Sequence, residues 1–172
     1  MTMVKKEING MMMHLNLSDG GISEPLYRNG IREAAFMAVM NETVRKDMTC
    51  IDLGANIGYA TLLMLNNVGE NGFVYAIEPD PNNLGLLRSN ITENNFDDRC
   101  EIIECAMSDE DGELSFWQSS RPNCSSVQKT KTSVGEIRVP SYTLNTFLEN
   151  RKYRNFMKMD IYHTYLMETI LE

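Results

Sequence analysis

The residues best placed to do chemistry lie in two short stretches, IDLGANIG at positions 51–58 and IEPD at positions 77–80. Gly54 lets the backbone turn sharply after an apolar run, and Gly58 lets the following helix approach a ligand closely. Asp52 falls at the carboxyl end of that run, where open α/β sheets bind their ligands. Glu78 stands 26 positions later, at the end of the next apolar run. A carboxylate there can accept charge-assisted hydrogen bonds from both hydroxyls of a ribose. Asp52 also has a plainer use, as a cap on the turn that follows it.

Spacing discriminates between ligands. A nicotinamide dinucleotide calls for G-x-G-x-x-G, with a helix N-terminus on the pyrophosphate. Here the glycines are spaced G-x-x-x-G, and Asn56 stands where the second glycine would be. An acid precedes the first glycine. It would repel a pyrophosphate and suits a sulfonium cofactor with an ammonium tail. The combination of D-x-G-A-N-x-G with a strand ending in E-P-D-P therefore points to S-adenosylmethionine.

The elements that must position these residues alternate. MTCIDL at 48–53 reads as a short strand, and IGYATLLMLN at 57–66 as a helix closed by Asn66, Asn67 and Gly69. A GENG turn leads to a second strand, FVYAI at 73–77. The next helix starts with Asp80 as its cap and Pro81 at its first position, with Leu84, Leu87 and Ile91 at helical spacing. EIIECA at 101–106 is a third strand. Strand–helix alternation implies parallel strands with helices packed on the sheet. Upstream, residues 31–45 place Ala35, Phe36, Val39, Met40 and Val44 on one helical stripe. Downstream, ELSFWQ at 113–118 and EIRVP at 136–140 read as an inserted β-ribbon. A short helix near 144–150 and a strand at 156–161 resume the α/β order, and the pattern of the last residues is helical, with Tyr162, Leu166 and Ile170 on one side.

Composition bounds the class. The chain has 172 residues, 42% hydrophobic and 23% charged, the balance of one globular domain with a sizeable core. A net charge of −8 argues against a broad nucleic-acid-binding face. The basic spot of Arg151, Lys152, Arg154 and Lys158 reads as a solvated connection between helix and strand. No run approaches a membrane span, and the N-terminus lacks the layout of a signal peptide. Four cysteines without C-x-x-C pairs or nearby histidines read as reduced thiols in a cytoplasmic protein, with no metal site. The thirteen methionines read as adaptable core filler.

IDLGANIGYATL, YAIEPDPNNLGLLRSNI, AMSDEDGELSF, NCSSV, VPSYTLNTFL and MKMDI occur in that order. Together they resemble the FkbM family of methyltransferases over roughly residues 20–161, with SDGGISEPLYRNGIRE resembling the segment before the cofactor fold. The resemblance implies a Rossmann-like class I methyltransferase fold and methyl transfer to an oxygen of a small molecule or sugar. By position, it assigns Asp52, Gly54, Asn56 and Gly58 to the cofactor loop and Glu78 to the ribose. It sets Pro79 and Asp80 beside the adenine, and Ala106, Met107 and Ser108 along its edge. Asp160 would orient or deprotonate the acceptor, or else cap the next helix. His163 is a general base or a surface histidine. Trp117, Tyr142 and Tyr162 shape an acceptor pocket or pack in the core, and the loop Asn123–Ser126 touches substrate or is an ordinary polar loop.

The family pattern continues past the fourth strand as Asp-Ile-Glu-Gly, whereas here Tyr162, His163 and Thr164 follow Ile161. The resulting expectation is one α/β domain over 1–172. It comprises a helical lead-in at 1–47 and a mostly parallel cofactor-binding core at 48–172 with flanking helices and the ribbon near 113–140. The later strands of the full fold are missing, and the chain either methylates an acceptor or is a silent cofactor-binding domain with an interaction role. An unpaired sheet edge suggests self-association through the C-terminal region.

Overall fold

A computed structural model describes residues 2–120, 124–149, 151 and 155–159. The readings that fall on Asn123, Lys152, Arg154, Asp160, Tyr162, His163 and the stripe through Leu166 and Ile170 lie outside these residues.

Among the described residues, four parallel strands form the central sheet: β3 (Thr49–Leu53), β4 (Phe73–Ile77), β5 (Cys100–Ile103) and β9 (Asn155–Met159), in the order β5-β4-β3-β9. Helix α3 (Tyr59–Val68) joins β3 to β4, and α4 (Pro81–Glu93) joins β4 to β5. Residues alternate faces along each strand, and each face has its own apolar layer. Cys50, Val74 and Ala76 pack with α3 and α4, while Ile51, Leu53, Tyr75 and Ile77 pack with Phe147 of the short helix α5 (Leu144–Leu148). Burial on both faces explains why these strands read as continuous apolar runs. α4 begins as its sequence dictates, with Asp80 accepting from the Asn82 amide at 3.0 Å and Pro81 at the first position.

The ribbon is present and longer than its sequence core: β7 (Gly112–Ser119) pairs antiparallel with β8 (Ser133–Tyr142). The expected third strand, 101–106, divides in two. Its first part stays in the central sheet as β5, while β6 (Ala106–Met107) pairs in parallel with β8. The break falls at Glu104, an exposed residue, and Cys105, which is buried. Its effect is to bring the ribbon to the carboxyl end of β4 and β5.

The helical lead-in is corrected. Residues 3–16 form a hairpin, β1 (Met3–Ile8) and β2 (Met11–Asn16), around a turn in which Asn9 has φ 52° and Gly10 φ 78°. Two positive φ values are what a two-residue type I′ turn requires, and Asn-Gly is its preferred sequence. Met11, Met13 and Leu15 point inward and complete one core layer. Two helices follow, α1 (Ser23–Asn29) and α2 (Ala34–Thr43). The buried residues of α2 are Met37 and Met40, while Val39 is 56% exposed, so the stripe is rotated from the one expected.

Candidate active site

The chain leaves β3 at Leu53 and turns at Gly54, φ 77°. The amides of Gly54 and Ala55 both donate to the Ile77 carbonyl, at 3.0 and 2.9 Å. Asn56 follows at φ 53°, unusual for a residue with a side chain, and its amide donates to Glu78 Oε2 at 2.8 Å. The end of β4 therefore holds the loop by a carbonyl and a carboxylate.

Glu78 is 5% exposed. Its Oε1 accepts from the Asp80 amide at 2.9 Å and from Asn83 Nδ2 at 3.1 Å. Burial pushes its carboxyl up to about 6, against the pull of these three donors, and the neighbouring Asp80 charge adds to the rise. Of roughly four lone-pair directions on a carboxylate, these bonds use three, and Oε2 carries one bond among the described residues. Asp80 is fully buried; Oδ1 accepts from Asn82 and from Gln118 Nε2 on β7 at 3.2 Å, and Oδ2 has no hydrogen-bond partner among the described residues.

A cavity of about 300 Å³ opens beside this arrangement. Gly54, Asn56, Glu78 and Pro79 line it together with Cys105, Ala106 and Met107. Phe116 of β7, Ser126 of the loop that follows it, and Arg32 and Phe36 around the start of α2 also line it. Arg32 pairs with Glu33 at 3.0 Å, and its amide meets the Tyr59 hydroxyl at 3.4 Å.

The structure thus brings together Gly54, Asn56, Glu78, Pro79, Ala106 and Met107 on one cavity, while Asp52, Gly58, Asp80 and Ser108 do not line it. Asp52 meets other protein groups instead. It is fully buried, takes the Thr61 hydroxyl at 2.6 Å on Oδ2, and has the Lys158 ammonium 2.9 Å from Oδ1. Among the described residues, the cationic partner of this carboxylate is thus the Lys158 ammonium. Gly58 is favoured by its backbone: at φ 90° any side chain is strained, and an added Cβ would also lie 2.8 Å from the terminal methyl Cδ1 of Leu87 on α4. The Ser108 amide bonds the Tyr142 carbonyl at 2.9 Å and so ties down the ribbon. Trp117 lies under Lys129, whose Nζ is 4.8 Å from the ring centre, and Tyr142 is exposed. Neither lines the cavity, although Ser125 and Ser126 of the neighbouring loop do.

Sequence reading misplaced Lys158, which is 6% exposed rather than solvated. The signal was available, because a lysine between Met157 and Met159 on a strand of a sheet covered on both faces points to the opposite covered face. Arg151 of the same basic spot packs its guanidinium 4.4 Å from the Phe147 ring centre. Asn83 was also missed, although it lies on the first turn of α4, directly above its cap. Cys105 was not recognised as a wall residue; burial pushes its thiol up to about 12, so it lines the cavity as a small neutral side chain.

The arrangement fits a nucleoside-bearing cofactor: a glycine turn open to a cavity, an acid that can accept from a ribose, and apolar walls for a base. Comparison with solved structures gives partial matches of low identity. A Pyrococcus horikoshii transferase matches at 23% identity over 61% of this chain and 37% of its own, with a TM-score of 0.46. TYW2 of the same organism, solved with MeSAdo, matches at 24% identity over 61% and 36%, TM-score 0.46. A SAM-dependent methyltransferase from Aquifex aeolicus matches at 24% identity over 39% and 36%, TM-score 0.36. The chain spans well under half the length of these proteins. A comparison with curated proteins returns no match. The model of the methyltransferase FkbM domain matches residues 52–161, from the acid of the cofactor loop through β9. That match covers most of the chain and every part of the site except the wall from Ile22 to Met37, and the chain accordingly belongs to the methyltransferase FkbM domain family.

Proposed function

We propose that the cavity binds S-adenosylmethionine and that the chain transfers its methyl group to a hydroxyl of a small molecule or sugar. The observation that carries this reading is Glu78: a buried carboxylate at the end of β4, hydrogen-bonded to the loop and open to the cavity. When bound, the cofactor supplies an electrophilic methyl on a positively charged sulfur. The residues present do the rest. Glu78 Oε2 has room to accept from a ribose hydroxyl, and Pro79, Ala106 and Met107 offer an apolar slot for the base. Asp80 Oδ2, buried and without a partner among the described residues, would take a donor from that side. Phe116, the loop residue Ser126, and Arg32 and Phe36 around the start of α2 line the cavity and would limit the water that reaches a bound cofactor. Asp160, which follows β9 in sequence, is proposed to accept the acceptor's hydroxyl proton on its carboxylate. Alignment of this kind supplies roughly 7–11 kcal/mol of a two-reactant barrier. The net charge of −8 and a cavity bounded by a paired Arg32 and Glu33 favour a small acceptor over a polyanion.

Calorimetric titration tests the cofactor: S-adenosylhomocysteine should bind and NAD should not. Tighter binding of NAD would remove the proposal. Transfer to a panel of hydroxylated small molecules and sugars should be abolished by Asp160→Asn while cofactor affinity is kept; equal transfer by the variant would release Asp160 from its role.

A further inference from the structure

Lys158 lies in mid-strand on β9, where its register partner on β3 is Asp52. Its Nζ stands 2.9 Å from Asp52 Oδ1 and donates to the Gly54 carbonyl at 2.9 Å. Asp52 in turn accepts from Thr61 on the first turn of α3. One buried ammonium thus joins β9, the end of β3 and the turn of the cofactor loop. A buried ion pair is weak evidence for stability, because desolvating two charges offsets most of their attraction. Its value lies in where it reaches. Gly54 has left the β3 ladder with a positive φ, and the rest of the loop is held from the opposite side, by the Ile77 carbonyl and Glu78. The Lys158 bond supplies the other hold, so the loop is gripped from both neighbouring strands.

We propose that Lys158 is a positioning residue for the cofactor site, fixing the loop at Gly54–Gly58 through the Gly54 carbonyl, and that Asp52 acts by holding Lys158 in place. The inference rests on the cofactor reading above only in its binding arm. A preset loop binds with less ordering cost than one that must be fixed on binding.

The test uses the 172-residue chain with the pair intact, with Lys158→Met, and with the double change Asp52→Leu and Lys158→Met. The single change leaves a buried carboxylate without its cation and should lower the melting temperature sharply. The double change removes both charges and should melt within a few degrees of the parent. Without ligand, the amides of Ala55 to Gly58 should exchange hydrogen at least tenfold faster in the double variant, while those in the middle of α4 are unchanged. Its affinity for S-adenosylhomocysteine should fall at least tenfold. Parent-like exchange and affinity in the double variant would overturn the proposal, since the pair would then be a replaceable strut. Loss of the cooperative melt in the double variant would also overturn it, because the pair would be holding the fold. If the parent fails to bind S-adenosylhomocysteine, the cofactor reading falls, and the exchange data still decide the role of Lys158.

Discussion

Glu78 is the residue whose chemistry is most exposed to measurement. Its carboxyl is pushed up to about 6 from an ordinary 4.5, chiefly by burial. A raised folded-state value means that the folded chain holds the proton more tightly. The group's contribution to stability is therefore full below about pH 4.5 and is lost as pH rises through 6, a swing of about 2 kcal/mol. The exposed acids Glu93 and Asp111 are shifted the other way by their hydrogen bonds, so the Glu78 contribution must be read as the difference between parent and Glu78→Ala. Cofactor binding as proposed should have the opposite slope. In the proposed complex a ribose hydroxyl would donate to the ionised form, so affinity for S-adenosylhomocysteine should rise from pH 5 and level off above about 7. Glu78→Ala should bind at least tenfold more weakly, with that rise removed; titration across this range checks both. A parent affinity that is flat with pH would mean that the ionised carboxylate does not meet the cofactor. The position of Glu78 was legible because a strand ending in an acid is a linear pattern. The roles of Asp52 and Lys158 were not, because their partnership depends on the register between β3 and β9, 106 positions apart.

Among the elements, α4 does more than join two strands. Asn90 and Asn94 lie four residues apart, a rise of about 6 Å along a helix. Met12 and His14 lie two residues apart on β2, a rise of about 7 Å along a strand. The near match lets two side-chain amides stand in for a neighbouring strand. Asn94 Oδ1 accepts from the Met12 amide at 3.0 Å and Nδ2 donates to its carbonyl at 2.8 Å. Asn90 Oδ1 accepts from the His14 amide at 2.6 Å, and Nδ2 donates to the His14 carbonyl at 3.3 Å and to the Ile57 carbonyl of the cofactor loop at 2.7 Å. The hairpin edge is covered in this way, which removes an open template for pairing with other chains. Asn90→Leu would fill similar space and leave these groups unpaired. With three backbone groups left unpaired, it should cost at least about 3 kcal/mol, since each unsatisfied buried polar group costs about 1–3 kcal/mol. Urea denaturation measures it, and a midpoint equal to the parent's would show that water replaces the amide. Periodicity in α4 marked its apolar side through Leu84, Leu87 and Ile91. It could not mark Asn90 as buried, because an asparagine is read as surface unless its partners are known.

At the scale of the whole molecule, the sequence pattern located the parallel sheet, the ribbon and the loop well, and located the N-terminal third poorly. Strands buried on both faces and a helix opening on Asp80-Pro81 are local signals. The hairpin also had one, Asn9-Gly10 between alternating runs, yet the methionines at 11–13 obscured the alternation by giving an unbroken apolar stretch. The structure resolves it: Met11 and Met13 point in and Met12 lies half-buried between them. The consequence reaches the site. The hairpin holds α4 through Asn90, Asn90 holds the Ile57 carbonyl, and the segment after the hairpin supplies Arg32 and Phe36 to the cavity wall. Residues before Asp52 lie outside the family match and still form part of the enclosure. Ile8, Met11, Met13 and Leu15 are each at most 6% exposed. At about 1.5–3 kcal/mol for each fully buried side chain, removing them costs roughly 6–12 kcal/mol, as much as the whole stability of a typical domain, about 5–15 kcal/mol. Deleting residues 1–17 should therefore abolish the cooperative melt and expose apolar surface that binds a fluorescent hydrophobic dye, although every residue of the family match is retained. A deletion variant that melts cooperatively and binds S-adenosylhomocysteine like the parent would show that the hairpin is an appendage and that α3 and α4 complete the core without it.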